Sequence, residues 1–353
     1  MNPHNRPTWR RFSVQRAKYE KRRRERFSAY RVRRNRDEDV SFRPKKTTQP
    51  GSIRRHVLLA PKHLSLFENY GDTNTFLDEF RKLLTGGKKV FVDFTATEFL
   101  SIETILVFLT ILKEVGGRRT SSRVSAAIGT SPLRHTPAAR MLVESGFYEH
   151  VRSDLDPDTP DASHGTIRPR EGTRVSNALA DRLTTKAARV VFGDERSLPA
   201  VYRALIEVMG NTKQHAGTAA EEKRWWAMVH TNPKTHRAEF AFYDTGVGII
   251  GSFRRRWRAA LALVGLSPTE EMIMRDLMHG EFKSRTNLPY RGKGLPAIAK
   301  AVSRRQIENL RILSNSVQAD VDGDRYERLP SEFVGTLVYW EVCRANDNYS
   351  NQR

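Results

Sequence analysis

Within Leu205-Ile-Glu-Val-Met-Gly-Asn-Thr-Lys-Gln-His215, three polar residues recur every four positions: Glu207, Asn211 and His215. On an α-helix that spacing places a carboxylate, a carboxamide and an imidazole on one face. Leu205, Val208, Met209 and Thr212 fall at i, i+3, i+4 and i+7, a second stripe facing a core. The segment is predicted as a helix buried on one side and holding polar groups on another. Ser197 and Pro199 suit its start, and Ala216-Gly217 its end.

Two glycine-rich turns follow. Phe240-Ala-Phe-Tyr-Asp244-Thr-Gly246-Val-Gly248-Ile reads as a strand running into a loop. Arg291-Gly292-Lys293-Gly294-Leu295 precedes the apolar run 296–302 and reads as a loop opening a helix. The order is Glu/Asn helix, Asp-x-Gly-x-Gly, then Gly-x-Gly-Leu. Each pattern alone recurs by chance, but the ordered set at domain-sized separation is specific. It resembles the GHKL family of ATP-binding domains, the group of DNA gyrase B, Hsp90, histidine kinases and MutL. The match covers roughly residues 197–343.

That resemblance implies an α+β fold: a GHKL-type α/β sandwich, a mixed sheet with helices on one face. It implies ATP and Mg²⁺ as ligands. Asn211 is implied as the Mg²⁺ ligand and Glu207 as the general base that orients or deprotonates an attacking hydroxyl. His215 stands where kinases and anti-sigma factors often carry His or Lys near the phosphates, which favours the kinase-like branch. Asp244 is implied to accept from the adenine amino group, with Gly246 and Gly248 turning the backbone beside the base. Gly292, Gly294 and Leu295 open a helix toward the phosphates, with Arg291 and Lys293 as cations. Thr336, after Gly335, resembles a late family position that helps hold Asp244 or a nearby water. Residues 251–290 are implied to be the ATP lid, basic and partly helical, with a helix over 268–278.

The chain divides around this region. Residues 1–55 hold nineteen Lys and Arg against five Asp and Glu, a net charge of +14, leaving +7 for the rest. Such a block reads as a disordered basic arm that attracts polyanions, and its interspersed Trp9, Phe12, Tyr19, Phe27 and Tyr30 suit stacking on bases. A solvated tail is the plain alternative. Residues 56–152 read as a small α/β domain: a helix closing over 80–84, a strand over 89–94, a helix over 101–115, a strand over 123–128 and a helix over 136–145. Val-Asp-Phe, an apolar helix, a strand and a helix ending in Ser-Gly-Phe resemble the STAS domain of anti-sigma-factor antagonists. The family's Ser-Ser-Gly turn is missing; Leu100-Ser-Ile-Glu-Thr104 stands there. Ser101 then reads as a helix N-cap as well as a candidate phosphoacceptor, and Glu103 as a fixed negative charge in a phosphate's place.

Residues 153–172, rich in Asp and Pro, read as a polar linker. The ATP-binding domain is assigned to 173–345, with a helix over 175–191, strands over 224–230 and 237–243, and later strands over 309–314 and 335–342. Residues 317–328 read as a turn-rich connection, and 346–353 as a frayed tail. A single cysteine, Cys343, points to a reducing cytoplasm, and no apolar run reaches bilayer length. The expectation is a cytoplasmic, bacterial regulator that binds ATP and hydrolyses it slowly or uses it to gate a protein partner or a homodimer. A Ser/Thr protein kinase of the anti-sigma type and a nucleic-acid-binding protein acting through the arm remain open.

Overall fold

The computed structural model describes residues 56–116, 124–127, 137–145, 147, 167–214, 224–263, 268–281 and 294–344. The basic arm, the tail and the residues between these segments lie outside that set.

The architecture is mixed α and β. The N-terminal segments build a parallel three-stranded sheet, β1 (His56–Leu59), β3 (Val90–Asp93) and β5 (Val124–Ala127), in the order β1-β3-β5. Helix α1 (Tyr70–Thr85) connects β1 to β3, and α2 (Ile102–Gly116) connects β3 to β5, the crossovers that parallel neighbours require. A two-stranded parallel ladder, β2 (His63–Leu64) with β4 (Phe99–Leu100), and α3 (Pro137–Glu144) complete this part. Phe76, Phe80, Phe94, Phe108 and Phe147 stack and meet edge-on at its centre.

The second part is a five-stranded sheet in the order β6-β7-β8-β10-β9: β6 (Ile167–Gly172), β7 (Trp225–Asn232), β8 (Arg237–Asp244), β9 (Glu308–Asp320) and β10 (Arg325–Cys343). Each neighbouring pair is antiparallel, where a mixed sheet was expected. One face carries α4 (Asn177–Val191), α5 (Pro199–Gln214), α6 (Gly248–Leu263), α7 (Glu270–His279) and α8 (Gly294–Ser303). The alternation of β8 explains the two-sided burial: Ala238, Phe240 and Phe242 join the helix-side core, while Ala241 and Tyr243 join the other.

That other face is covered too, by the N-terminal part. Helix α2 packs on β7 and β8, and α1 touches both β1 and β10. Residues 102–112 of α2 are buried without interruption, as an apolar helix enclosed by protein should be. Tyr70 Oη donates to Ser331 O at 2.9 Å, and Gln318 Nε2 donates to Phe67 O at 3.3 Å, so the two parts share polar contacts as well. Helices therefore lie on both faces of the large sheet, where one face was expected.

Two segments read as connections are strands. Residues 167–172, at the end of the expected linker, form edge strand β6, whose register shifts around Pro169; an edge position tolerates a residue without an N–H. The turn expected over 317–328 contracts to four residues, because β9 runs on to Asp320 and β10 starts at Arg325. Val317 and Ala319 supply the buried side of that hairpin. The expected lid is largely packed helix among the described residues: Ile273, Met274, Leu277 and Met278 of α7 sit in the core. Among the described residues no helix is long and apolar enough to cross a membrane.

Candidate functional site

Helix α5 begins at Pro199, and Ser197 stands one residue outside its flanking residue, Leu198. Val201, Ala204, Leu205, Val208 and Met209 bury one side of it. Thr212 is buried as well and donates to Val208 O at 3.2 Å, an internal bond that satisfies its hydroxyl. Glu207 and Asn211 stand on the partly exposed side. Glu207 Oε1 lies 3.9 Å from Arg203 Nε, a loose pair one turn apart.

Strand β8 ends at Asp244, which is buried to 7% exposure. Its Oδ1 accepts from Gly246 N at 2.7 Å, tightening the turn that follows. Gly248 then opens α6 with φ +78, in the left-handed region, and a Cβ there would stand 2.1 Å from Asn315 Oδ1. Both the dihedral and the close approach require glycine. Thr336 of β10 lies directly opposite Asp244 in the ladder.

These groups share one cleft. It is lined by Asn211 and Thr212 of α5, by Asp244, Gly246 and Gly248, by Leu295 of α8, and by Thr336. Its enclosed volume is about 40 Å³, so a ligand of nucleotide size requires the cleft to open. Phe242, Val208 and Val338 give it apolar walls around the carboxylate of Asp244. Glu207 stands at one end, touching the start of α8: a Cβ on Gly294 would come within 2.5 Å of Glu207 Oε2. The Glu/Asn helix, the first glycine segment and the Gly294-Leu295 end of the second, separate in sequence, therefore converge. His215, Arg291, Gly292 and Lys293 lie outside the described residues.

The loop from Asp244 to α6 is held by two residues that the sequence did not flag. Ser314 Oγ accepts from Ile249 N at 2.7 Å. Asn315 Oδ1 accepts from Gly251 N at 3.2 Å, and its Nδ2 donates to Val247 O at 3.0 Å. Ser-Asn-Ser does not stand out in a strand that also carries Glu308, Asn309, Arg311 and Gln318, so nothing in the sequence pointed to them. Next to them, Glu270 of α7 pairs with Arg254 of α6 at 3.0 Å and accepts from Ser316.

The donors suit hard-ion and phosphate chemistry. Among the described residues no three His, Cys, Asp or Glu converge as a metal cage. The Asn211 carboxamide and the nearby Glu207 carboxylate offer one or two oxygen ligands, the donor set expected where an anionic substrate completes the shell of a hard divalent ion. Elsewhere, Glu103 departs from its expected role. It is buried under Ser65 and Ser101, whose hydroxyls donate to it, and burial pushes its carboxyl above the ordinary range. A carboxyl enclosed to 3% exposure presents no charge at the surface, where a phosphate would be read.

No known family, no curated protein and no solved structure matches this chain.

Proposed function

We propose that the chain is an ATP-binding regulatory protein of the GHKL type, with a STAS-like module preceding the ATP-binding part. The observation that carries this reading is the convergence of Asn211, Asp244, Gly246, Gly248, Leu295 and Thr336 on one cleft with Glu207 at its end. Asp244 accepts from the adenine amino group, between the apolar walls of Phe242 and Val338. The phosphates extend toward Asn211 and the start of α8, where a helix N-terminus favours anions. Asn211 would hold Mg²⁺, which when bound neutralises charge on the phosphates.

Glu207 then orients a hydroxyl and takes its proton as a new O–P bond forms to the γ-phosphorus and the bond to the β-phosphate oxygen breaks. With water the products are phosphate and ADP. With a Ser or Thr hydroxyl the product is a phosphoprotein, the activity of an anti-sigma-type kinase. The charge of +14 on residues 1–55 favours a second role for the arm, binding nucleic acid by polyelectrolyte attraction.

Incubation with γ-labelled ATP and Mg²⁺, following free phosphate and labelled protein separately, tests the chemistry. Free phosphate identifies an ATPase and labelled protein a kinase. ATP bound with neither product identifies a nucleotide-gated binder, and no bound ATP refutes the reading.

A further inference from the structure

Successive residues at the end of β8 point to opposite sides of the sheet. Phe242 belongs to the helix-side core and Asp244 follows it into the cleft; Ala241 and Tyr243 belong to the core shared with the N-terminal part, and Thr245 follows them. There Thr245 Oγ1 donates to Glu114 Oε1 at 3.2 Å. Glu114 stands in the last turn of α2, a helix fixed by burial along 102–112 and by packing on β7 and β8. Its carboxylate is exposed at the rim but anchored on a rigid element. On the cleft side, Ser314 and Asn315 hold the same loop two to six residues further on. The chain leaving β8 is thus held on both sides of the sheet, at Thr245 by Glu114 and at Val247, Ile249 and Gly251 by Ser314 and Asn315.

We infer that Glu114 is a positioning residue for the cleft: by holding Thr245 it sets the direction of Asp244, so the N-terminal module controls ligand affinity within the same chain. Its effect on affinity rests on the nucleotide reading above; its effect on the loop does not. Partial burial pushes this carboxyl above its ordinary range, against the Thr245 hydrogen bond, Arg81 and Arg224, which favour its charged form, and with Glu171 adding to the rise. A neutral amide in its place keeps an acceptor oxygen for the Thr245 hydroxyl.

The test uses the full chain with Glu114→Ala, Glu114→Gln and Thr245→Val. Backbone amide exchange is read first without ligand, then ATP affinity by calorimetry. In Glu114→Ala and Thr245→Val, exchange at 245–248 should quicken several-fold while the melting temperature barely moves. ATP binding should weaken roughly two- to tenfold, the scale of one hydrogen bond. Glu114→Gln should restore both. Unchanged exchange at 245–248 overturns the inference, as does acceleration spread over the whole chain. Unchanged affinity in variants whose parent binds ATP overturns the control of ligand binding. If the parent binds no ATP, the nucleotide reading fails, and the exchange data still decide whether Glu114 positions the loop.

Discussion

The first residue of α8, Gly294, lies against the carboxylate of Glu207, one helix away: an added Cβ would stand 2.5 Å from Oε2 and 3.2 Å from Cδ. The Glu207 side chain is the flexible partner, so Gly294→Ala should fold and push the carboxylate aside. Because Gly294 also opens the helix toward the phosphates, ATP binding should weaken as well, and turnover is therefore read at saturating ATP. Single-turnover phosphate release should fall on the order of 10²-fold, because a general base displaced by an ångström loses most of its effect. Rates equal to the parent's would mean that Glu207 is not the base.

Asn315 combines two tasks. Its side chain ties Val247 and Gly251, and its backbone sits at φ 54. Asn315→Ala should therefore lose on the order of 2 kcal/mol in urea unfolding, from two lost bonds and a left-handed alanine. Asn315→Gly relieves the backbone and isolates the bonds. It should remain less stable than the parent and bind ATP more weakly; parental affinity in the glycine variant would show that the clamp does not shape the cleft.

The sheet also holds a group that titrates near neutrality. The Tyr339 hydroxyl lies 3.3 Å from Glu239 Oε1 and 2.5 Å from Glu341 Oε1. Burial, then Glu341 and Glu103, pushes Glu239 up to about 7, with Tyr339 and Arg237 opposing. The folded form keeps its proton where the unfolded chain, at 4.5, gives it up. Its contribution to stability is therefore complete below pH 4.5 and is lost as pH rises to about 7. His230, opposite Glu239 in the ladder, is pushed down to about 4 by burial and by Lys186 and Arg140, and it gives the reverse slope up to 6.5. Glu239→Gln removes one slope and leaves the other. The variant should gain on the parent by on the order of 2–3 kcal/mol between pH 4.5 and about 7. A difference that stays constant with pH in urea titrations would contradict the assignment.

Much of this was legible in the residues themselves. The i, i+4 spacing of Glu207 and Asn211 fixed their helix face, since a helix has one period. The apolar run in α2 identified an enclosed helix before its neighbours were known. What escaped was set by partners distant in sequence. The Asp- and Pro-rich stretch before it drew β6 into the linker, and Pro169 fits a strand only because β6 lies at the sheet edge. Asp320, Asp322 and Asp324 made the tip of the β9–β10 hairpin look longer than its four residues. Ser314 and Asn315 carry no signal of the loop they hold, because that loop lies more than sixty residues earlier. The covering of the sheet's second face by α1 and α2 is likewise a property of packing, not of either segment alone.

Deletion of residues 1–55 should abolish binding to RNA or DNA while leaving ATP binding intact, since the +14 charge lies there and every residue of the cleft lies after Ser197. Affinity of the full chain should fall steeply with added salt. Filter binding across a salt series checks both; equal nucleic-acid binding by the truncated chain would place the polyanion surface elsewhere.

The central claim is that the cleft between α5 and β8 recognises an adenine nucleotide through Asp244. Calorimetric titration of the parent chain and Asp244→Asn with ATP and with GTP, each with and without Mg²⁺, tests it most directly. The account predicts one ATP site in the parent, strengthened by Mg²⁺, with GTP bound far more weakly. It predicts a loss of roughly tenfold or more for ATP in Asp244→Asn, because the new amide presents donors to the adenine amino group. An unaltered ATP affinity in Asp244→Asn, or no ATP binding by the parent, would contradict it.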